Sequence, residues 1–145
     1  MKTFKNGYYK PIHKEKCLTS MPFYRSSWER KFFYWCDKNP NVVAWGAEEV
    51  IVPYKSPVDG KMHRYFVDNF VVINEGNVQK RYLIEIKPKI QTVAPVPSKR
   101  KKQKTVLYEN LQWSVNQAKW DSAKKWASQK GVEFLILTED ELFTD

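Results

Sequence analysis

Asp68, Glu85 and Lys87 have the residue types and spacing to do metal-assisted chemistry, provided that two strands bring them face to face. Residues 64–73 read as one strand, Asn74-Glu75-Gly76-Asn77 as a turn and residues 81–87 as a second strand. If Gly76-Asn77 forms a two-residue hairpin turn, antiparallel pairing sets Asp68 opposite Glu85. Carboxylates so opposed, with Cβ atoms roughly 4.5–5.5 Å apart, repel each other and are costly to bury unless a cation sits between them. A divalent metal is the natural cation. Lys87 alone is the blander one, and would leave a buried ion-pair network that catalyses nothing. E-x-K tripeptides are common, so the matter turns on whether a third acid converges from elsewhere.

The hairpin has to hold these groups away from water. Side chains alternate along a strand, which puts Phe66, Asp68, Phe70, Leu83, Glu85 and Lys87 on one face and Val67, Val71, Tyr82, Ile84 and Ile86 on the other. Apolar residues on both faces predict a central hairpin covered from both sides.

A third acid is offered by the first helix, predicted to start at Ser26 or Ser27 and to end before Asn39-Pro40. Trp28, Phe32, Phe33, Trp35 and Cys36 define its buried arc, and Glu29 falls inside that arc. Arg30, Lys31, Tyr34, Asp37 and Lys38 fall outside it. An inward carboxylate needs a partner or a metal. The competing explanation is a capping box in which Glu29 folds back on the Ser26 backbone N–H.

The rest of the chain supplies the frame. A length of 145 residues suits a single domain, divided here into a basic N-terminal arm over 1–22 and one folded unit over 23–145. The arm carries five lysines and shows no sustained period. It would serve as a DNA or partner contact, or fray as a solvated terminus. A net charge of +9 favours a polyanionic partner, most often nucleic acid. No apolar run approaches membrane-spanning length and no signal-peptide core is visible, so a soluble intracellular protein is expected. His13, Cys17, Cys36 and His63 lack the paired half-sites of a zinc motif, and Cys36 reads as helix core.

A strand over 48–54 follows the helix, its Pro53 marking an edge or an end, and the Pro57-Val58-Asp59-Gly60 turn leads back to residue 64. Residues 88–104 form a proline-containing loop whose basic tip, with Lys99, Arg100, Lys101, Lys102 and Lys104, could clamp a phosphate backbone. It could also be a solvated charge run or a localisation signal. Residues 105–130 are helical, in two pieces because the apolar phase breaks, with Asn116 capping the second and Gly131 stopping it. Trp113, Trp120 and Trp126 could stack on bases, although helical spacing favours core, and Trp120 is read as core. Residues 132–137 form a buried strand added in parallel through a crossover, and Thr138 to Glu141 fit a capping box. The fold class is therefore α/β, a helix, three antiparallel strands, a helix and a strand (αβββαβ), with a mixed central sheet flanked by helices.

That order, with Glu29 on helix one, Asp68 on strand two and Glu85-Ile86-Lys87 on strand three, resembles the restriction-endonuclease-like core of the PD-(D/E)xK nuclease superfamily. Within it the chain is most similar to the head-completion nucleases of large contractile-tailed phages, and more distantly to the N-terminal endonuclease domain of heteromeric transposases. The resemblance runs from about Tyr24 to Asp140, through Tyr24-Arg25-Ser26-Ser27-Trp28-Glu29, Asp37-Lys38-Asn39-Pro40, Ala44-Trp45-Gly46, Arg64-Tyr65-Phe66-Val67-Asp68, Ile84-Glu85-Ile86-Lys87-Pro88-Lys89, Trp113-Ser114-Val115-Asn116 and Leu137-Thr138-Glu139-Asp140. Val67 stands where the family has a proline before the aspartate.

The resemblance implies hydrolysis of DNA phosphodiester bonds. Asp68, Glu85 and the Ile86 carbonyl would hold Mg²⁺ or Mn²⁺, and Lys87 would orient water or stabilise developing charge. Glu29 would serve a second metal or its water. Asn116 and Lys119 are implied phosphate contacts. Also implied are double-stranded DNA as substrate, portal or neck proteins as partners, no membrane, and a place in the virion head or neck. A binding-only neck component with the same fold, and a transposase endonuclease subunit, are the alternatives.

Overall fold

The structure, a computed structural model, describes residues 5–143. Strands β1 (Gly7–Tyr8) and β2 (Phe23–Tyr24) form a small antiparallel pair ahead of helix α1 (Ser27–Lys38). Five strands follow: β3 (Val42–Ala47), β4 (Ile51–Lys55), β5 (Met62–Phe66), β6 (Asn69–Glu75) and β7 (Val78–Ile86). Helix α2 (Gln103–Gln129), strand β8 (Glu133–Leu137) and the short helix α3 (Glu139–Leu142) complete the described residues. The central sheet has the order β3-β6-β7-β8, while β4 and β5 make a separate antiparallel pair. Strands β3, β6 and β7 are antiparallel and β8 joins β7 in parallel, so the sheet is mixed as expected.

The β6–β7 hairpin is the middle of this sheet. Gly76, at φ +64, and Asn77 make the two-residue turn, and Glu75 pairs with Val78. Glycine is the residue that takes a positive φ without Cβ strain, which is why this turn sets the register. Packing then covers both faces. Val71, Ile84 and Ile86 pack under Phe32, Phe33 and Cys36 of α1. Leu83 and Val67 pack with Trp120, Ala123 and Ala127 of α2. Each cluster removes enough apolar side chain from water to fix its helix to the sheet.

Several expectations change in detail. The run over 64–73 is two strands in two sheets: Val67 donates its N–H to the Val50 carbonyl, and the chain passes from the β4–β5 pair into the central sheet at Asp68. The first antiparallel strand of the central sheet is β3, and the expected 48–54 strand lies beside β5, where Pro53 sits in a two-stranded edge. Helix α2 is continuous through Asn116, which is a buried mid-helix residue and caps nothing. The apolar phase breaks because the two halves have different surroundings: the second packs on the sheet, while Leu107 and Leu111 in the first remain exposed. Gly131, at φ +67, stops the helix as expected, and Thr138 and Glu141 close a capping box on α3.

Residues 5–22, expected as an arm, are tied down. Tyr9 is buried in the α1 cluster, its N–H donates to the Pro22 carbonyl, and Leu18 donates to Trp45. Asp37 is the anchor. Read from the sequence as facing solvent, it is fully buried and accepts hydrogen bonds from the Tyr9 hydroxyl and the Ile12 N–H, both at 2.7 Å, and from the His13 N–H at 2.9 Å. Trp35, read as buried, is 46% exposed. Among the described residues no helix is long and apolar enough to cross a membrane.

Candidate active site

The central hairpin keeps the expected register, since Asn69 pairs with Ile84 and Phe70 with Leu83. One step further along, Asp68 stands beside Glu85 at the point where the ladder ends. Asp68 Oδ2 accepts the backbone N–H of Ile86 at 2.8 Å, which holds the carboxylate against β7 in place of a ladder bond. Glu85 is buried, and its Oε1 accepts from the Tyr65 hydroxyl at 2.5 Å. Lys87 Nζ lies 3.8 Å from Glu85 Oε2 and is itself mostly withdrawn from solvent.

The electrostatics of this pair are unfavourable by themselves. Burial, the Glu85 charge and the Glu29 charge push the Asp68 carboxyl well above the usual carboxylate range, against the pull of the Ile86 N–H and Lys87. Burial also raises Glu85, while the Tyr65 hydroxyl, Lys87 and Lys119 pull it down without restoring it. Both acids therefore favour a proton or a cation, which is the expected behaviour of like charges sharing a low-dielectric site. Tyr65 in turn is held neutral by burial and by Glu85.

Hard carboxylate oxygens drawn together in this way suit Mg²⁺, Mn²⁺ or Ca²⁺ better than softer metals. Each carboxylate gives one oxygen to the protein's own hydrogen bonds and has a second with which to hold an ion. Among the described residues no three His, Cys, Asp or Glu side chains close into a metal-holding group, so the donor set rests on the pair. Glu29 acts on this region through its charge. Its Oε1 accepts the Arg25 backbone N–H at 3.0 Å and its own N–H donates to Ser26 Oγ at 3.3 Å, yet it raises both Asp68 and Glu85. The expected capping box is therefore only half made: Ser26 Oγ caps the Glu29 N–H, but the Glu29 carboxylate takes the N–H of Arg25 and not that of Ser26.

Three further residues at the site escaped the sequence reading. A continuous strand over 64–73 would turn Tyr65 to the face opposite Asp68, so alternation does not point to it. Glu48, the non-glycine residue with positive φ (55°) among those described, donates its N–H to the Asp68 carbonyl at 3.1 Å. Its Oε2 receives Arg25 Nη1 at 3.0 Å, and the Arg25 charge is felt in turn by Glu29 and Asp68. Backbone strain at Glu48 is thereby spent on placing a guanidinium beside the acids. A lone SSWE sequence signals the cap and not this arginine.

The expected nucleic-acid contacts are split. Lys119 of α2 lies 5.4 Å from the Tyr65 ring centroid and lowers the Glu85 pKa, so it belongs to the site. Asn116 is buried one turn earlier on the same helix. Lys99, Arg100, Lys102 and Lys104 are exposed where the 88–104 loop enters α2. Lys101 is committed to Glu109 at 2.7 Å and to the Val96 carbonyl. His63 pairs with Asp59 and Cys36 is core, so neither is brought to a metal site.

A family model described as TnsA-like endonuclease N terminal matches residues 39–139, a span that includes Asp68, Glu85 and Lys87 and leaves Glu29 outside. The head completion nuclease of Enterobacteria phage T4 is 43% identical over 122 residues, covering 82% of this chain and 79% of that protein.

Proposed function

Because the chain belongs to the family of TnsA-like endonuclease N-terminal domains, we propose that it is a phage head-completion nuclease that hydrolyses DNA phosphodiester bonds with a divalent metal, Mg²⁺ or Mn²⁺. The observation that carries this reading is the opposed pair Asp68 and Glu85, both raised by burial and Asp68 further by the Glu85 charge, with Lys87 3.8 Å from Glu85. A stable fold gains nothing from such a pair, whereas a metal site needs it.

Asp68, Glu85 and the Ile86 carbonyl are the residues that would hold the metal, which when bound supplies Lewis-acid polarisation of the phosphate and of the attacking water. Tyr65 orients Glu85 by donating to Oε1, which would leave the other oxygen to hold a metal. Lys87 orients the water or offsets charge developing on the phosphate. Glu29 adds a third negative charge at the margin of the site. Arg25 and Lys119 flank the acids and offer cations to the phosphates on either side, while Lys99, Arg100, Lys102 and Lys104 hold the backbone further out. The relative's name supports a role in head completion; for this chain the reading further takes the packaged genome end as substrate, portal or neck proteins as partners, and the virion head or neck as location.

The test is cleavage of circular and linear double-stranded plasmid by the purified protein with Mg²⁺ or Mn²⁺, with EDTA and Lys87→Ala as controls. Metal-dependent nicking or cutting that the variant loses is the expected result. DNA binding without cleavage under every metal and with every DNA form would replace this reading with that of a neck component that keeps the fold and works by binding.

A further inference from the structure

Between residues 88–101 and the first half of α2 lies a groove of about 560 Å³, whose inner end is formed by Lys87 and Asn116. We propose that this groove receives an unpaired strand of the DNA as it leaves the catalytic acids, making a duplex end with a single-stranded tail the preferred substrate. The inference rests on the nuclease reading above and names the form of DNA it acts on.

Four observations point to a nucleotide strand. The groove is continuous with the site, because Lys87 both pairs with Glu85 and lines the groove. Whatever occupies the site therefore has a covered path outward. Its volume is that of a small-ligand pocket, on the order of one or two nucleotides. Its walls carry the Tyr108 and Trp113 rings, on which bases can stack, and the amides of Gln91, Gln112 and Asn116, which can meet base edges of either polarity. Its rim is basic: Lys99, Arg100, Lys102 and Lys104 stand exposed at the start of α2, and the helix begins at Lys102 without a side-chain cap. Lysines at the positive end of a helix repel the dipole, and a phosphate chain reverses that cost.

The groove is held open by its own contacts. Lys101 Nζ bridges the Val96 carbonyl at 3.2 Å and Glu109 at 2.7 Å, tying the loop to the helix above the floor. Meanwhile Ile90, Val96 and Tyr108 remain 79%, 70% and 64% exposed, an apolar lining that nothing in the chain covers among the described residues.

The experiment is fluorescence anisotropy in EDTA, where no strand is cut, comparing a blunt duplex with the same duplex carrying a short single-stranded tail of either polarity. The tailed DNA should bind about tenfold more tightly. Tyr108→Ala and, separately, Val96→Glu should bring that ratio close to one. Both side chains are exposed, so unchanged melting temperatures will exclude misfolding. A ratio of one in the unmodified protein, or a ratio kept by both variants, would overturn the proposal and assign the groove to an apolar segment of a protein partner. Absence of cleavage with Mg²⁺ or Mn²⁺ while the ratio persists would remove the nuclease reading and leave the tail-binding groove in place.

Discussion

The Asp68 carboxylate takes the backbone N–H of Ile86 at 2.8 Å, so the strand that begins at Asn69 is extended backward by one residue through a side chain. This bond fixes a half-buried acid beside the buried Glu85, at the cost of repulsion between the two. The consequences can be measured.

Asp68→Asn should abolish cleavage while stabilising the metal-free protein at neutral pH, by on the order of 1 kcal/mol. The sign follows from linkage: a carboxyl raised in the folded state binds more protons there than in the unfolded chain. Metal-free stability therefore falls as pH rises from the ordinary carboxylate range through the folded pKa. In the unmodified protein Mg²⁺ should restore what is lost, and in Asp68→Asn it should not. Thermal melts across pH with EDTA or Mg²⁺ decide this, and a variant less stable than the parent in EDTA would contradict it.

Tyr65→Phe removes the hydroxyl that holds Glu85 Oε1. The carboxyl, already raised by burial, then rises further, so the acid limb of the cleavage profile should move to higher pH. The rate should fall by about 10- to 100-fold with DNA affinity kept, and stability by about 1–2 kcal/mol. An unshifted pH profile would show that Tyr65 is only packing.

Much of this site is legible in the sequence because a turn glycine and strict alternation fix the register of one hairpin. Gly76 and Asn77 alone were enough to bring Asp68 to Glu85. Tyr65 was not legible, since the switch of sheets at Val67 and Asp68 depends on pairing with β4, and nothing within residues 64–73 themselves breaks the strand pattern. The serine cap and the Asn39-Pro40 stop gave the limits of α1, and periodicity its buried arc. Periodicity misplaced Asp37, because that side of the helix is covered by residues 9–13, which themselves show no period, and it misplaced Trp35, which stacks on Phe32 yet stays 46% exposed. The phase break in α2 was real, but it marks a change of neighbours and not a break in the helix.

Asp37 makes the N-terminal segment part of the fold. Burial alone would raise its carboxyl, yet bonds from the Ile12 N–H, the Tyr9 hydroxyl and the His13 N–H outweigh that and set it below the usual range. Its contribution is therefore fully present above the ordinary carboxylate pKa and is lost as pH falls through the depressed value. Asp37→Ala should cost about 3 kcal/mol, leaving buried donors without an acceptor, and should release residues 5–22 to proteases. Limited proteolysis with mass spectrometry will show whether the segment is cut first; equal resistance of variant and parent would mean that Tyr9 packing alone holds it.

Exposed lysines at the entrance to α2 should act on affinity without acting on sequence choice. Replacing Lys99, Arg100 and Lys102 by Gln removes three cations that have no other structural duty, whereas Lys101 is occupied by Glu109 and should be left in place. If all three face phosphates, the slope of log affinity against log salt should shrink by roughly 0.9 for each on duplex DNA. Binding should weaken to the same extent for unrelated sequences, because phosphate contacts position the DNA and do not read it. Lys101→Gln should behave differently, lowering stability through the loop contact while leaving the slope nearly unchanged. A slope unaffected by the triple change would place the DNA on the other side of the acids, along Arg25 and Lys119.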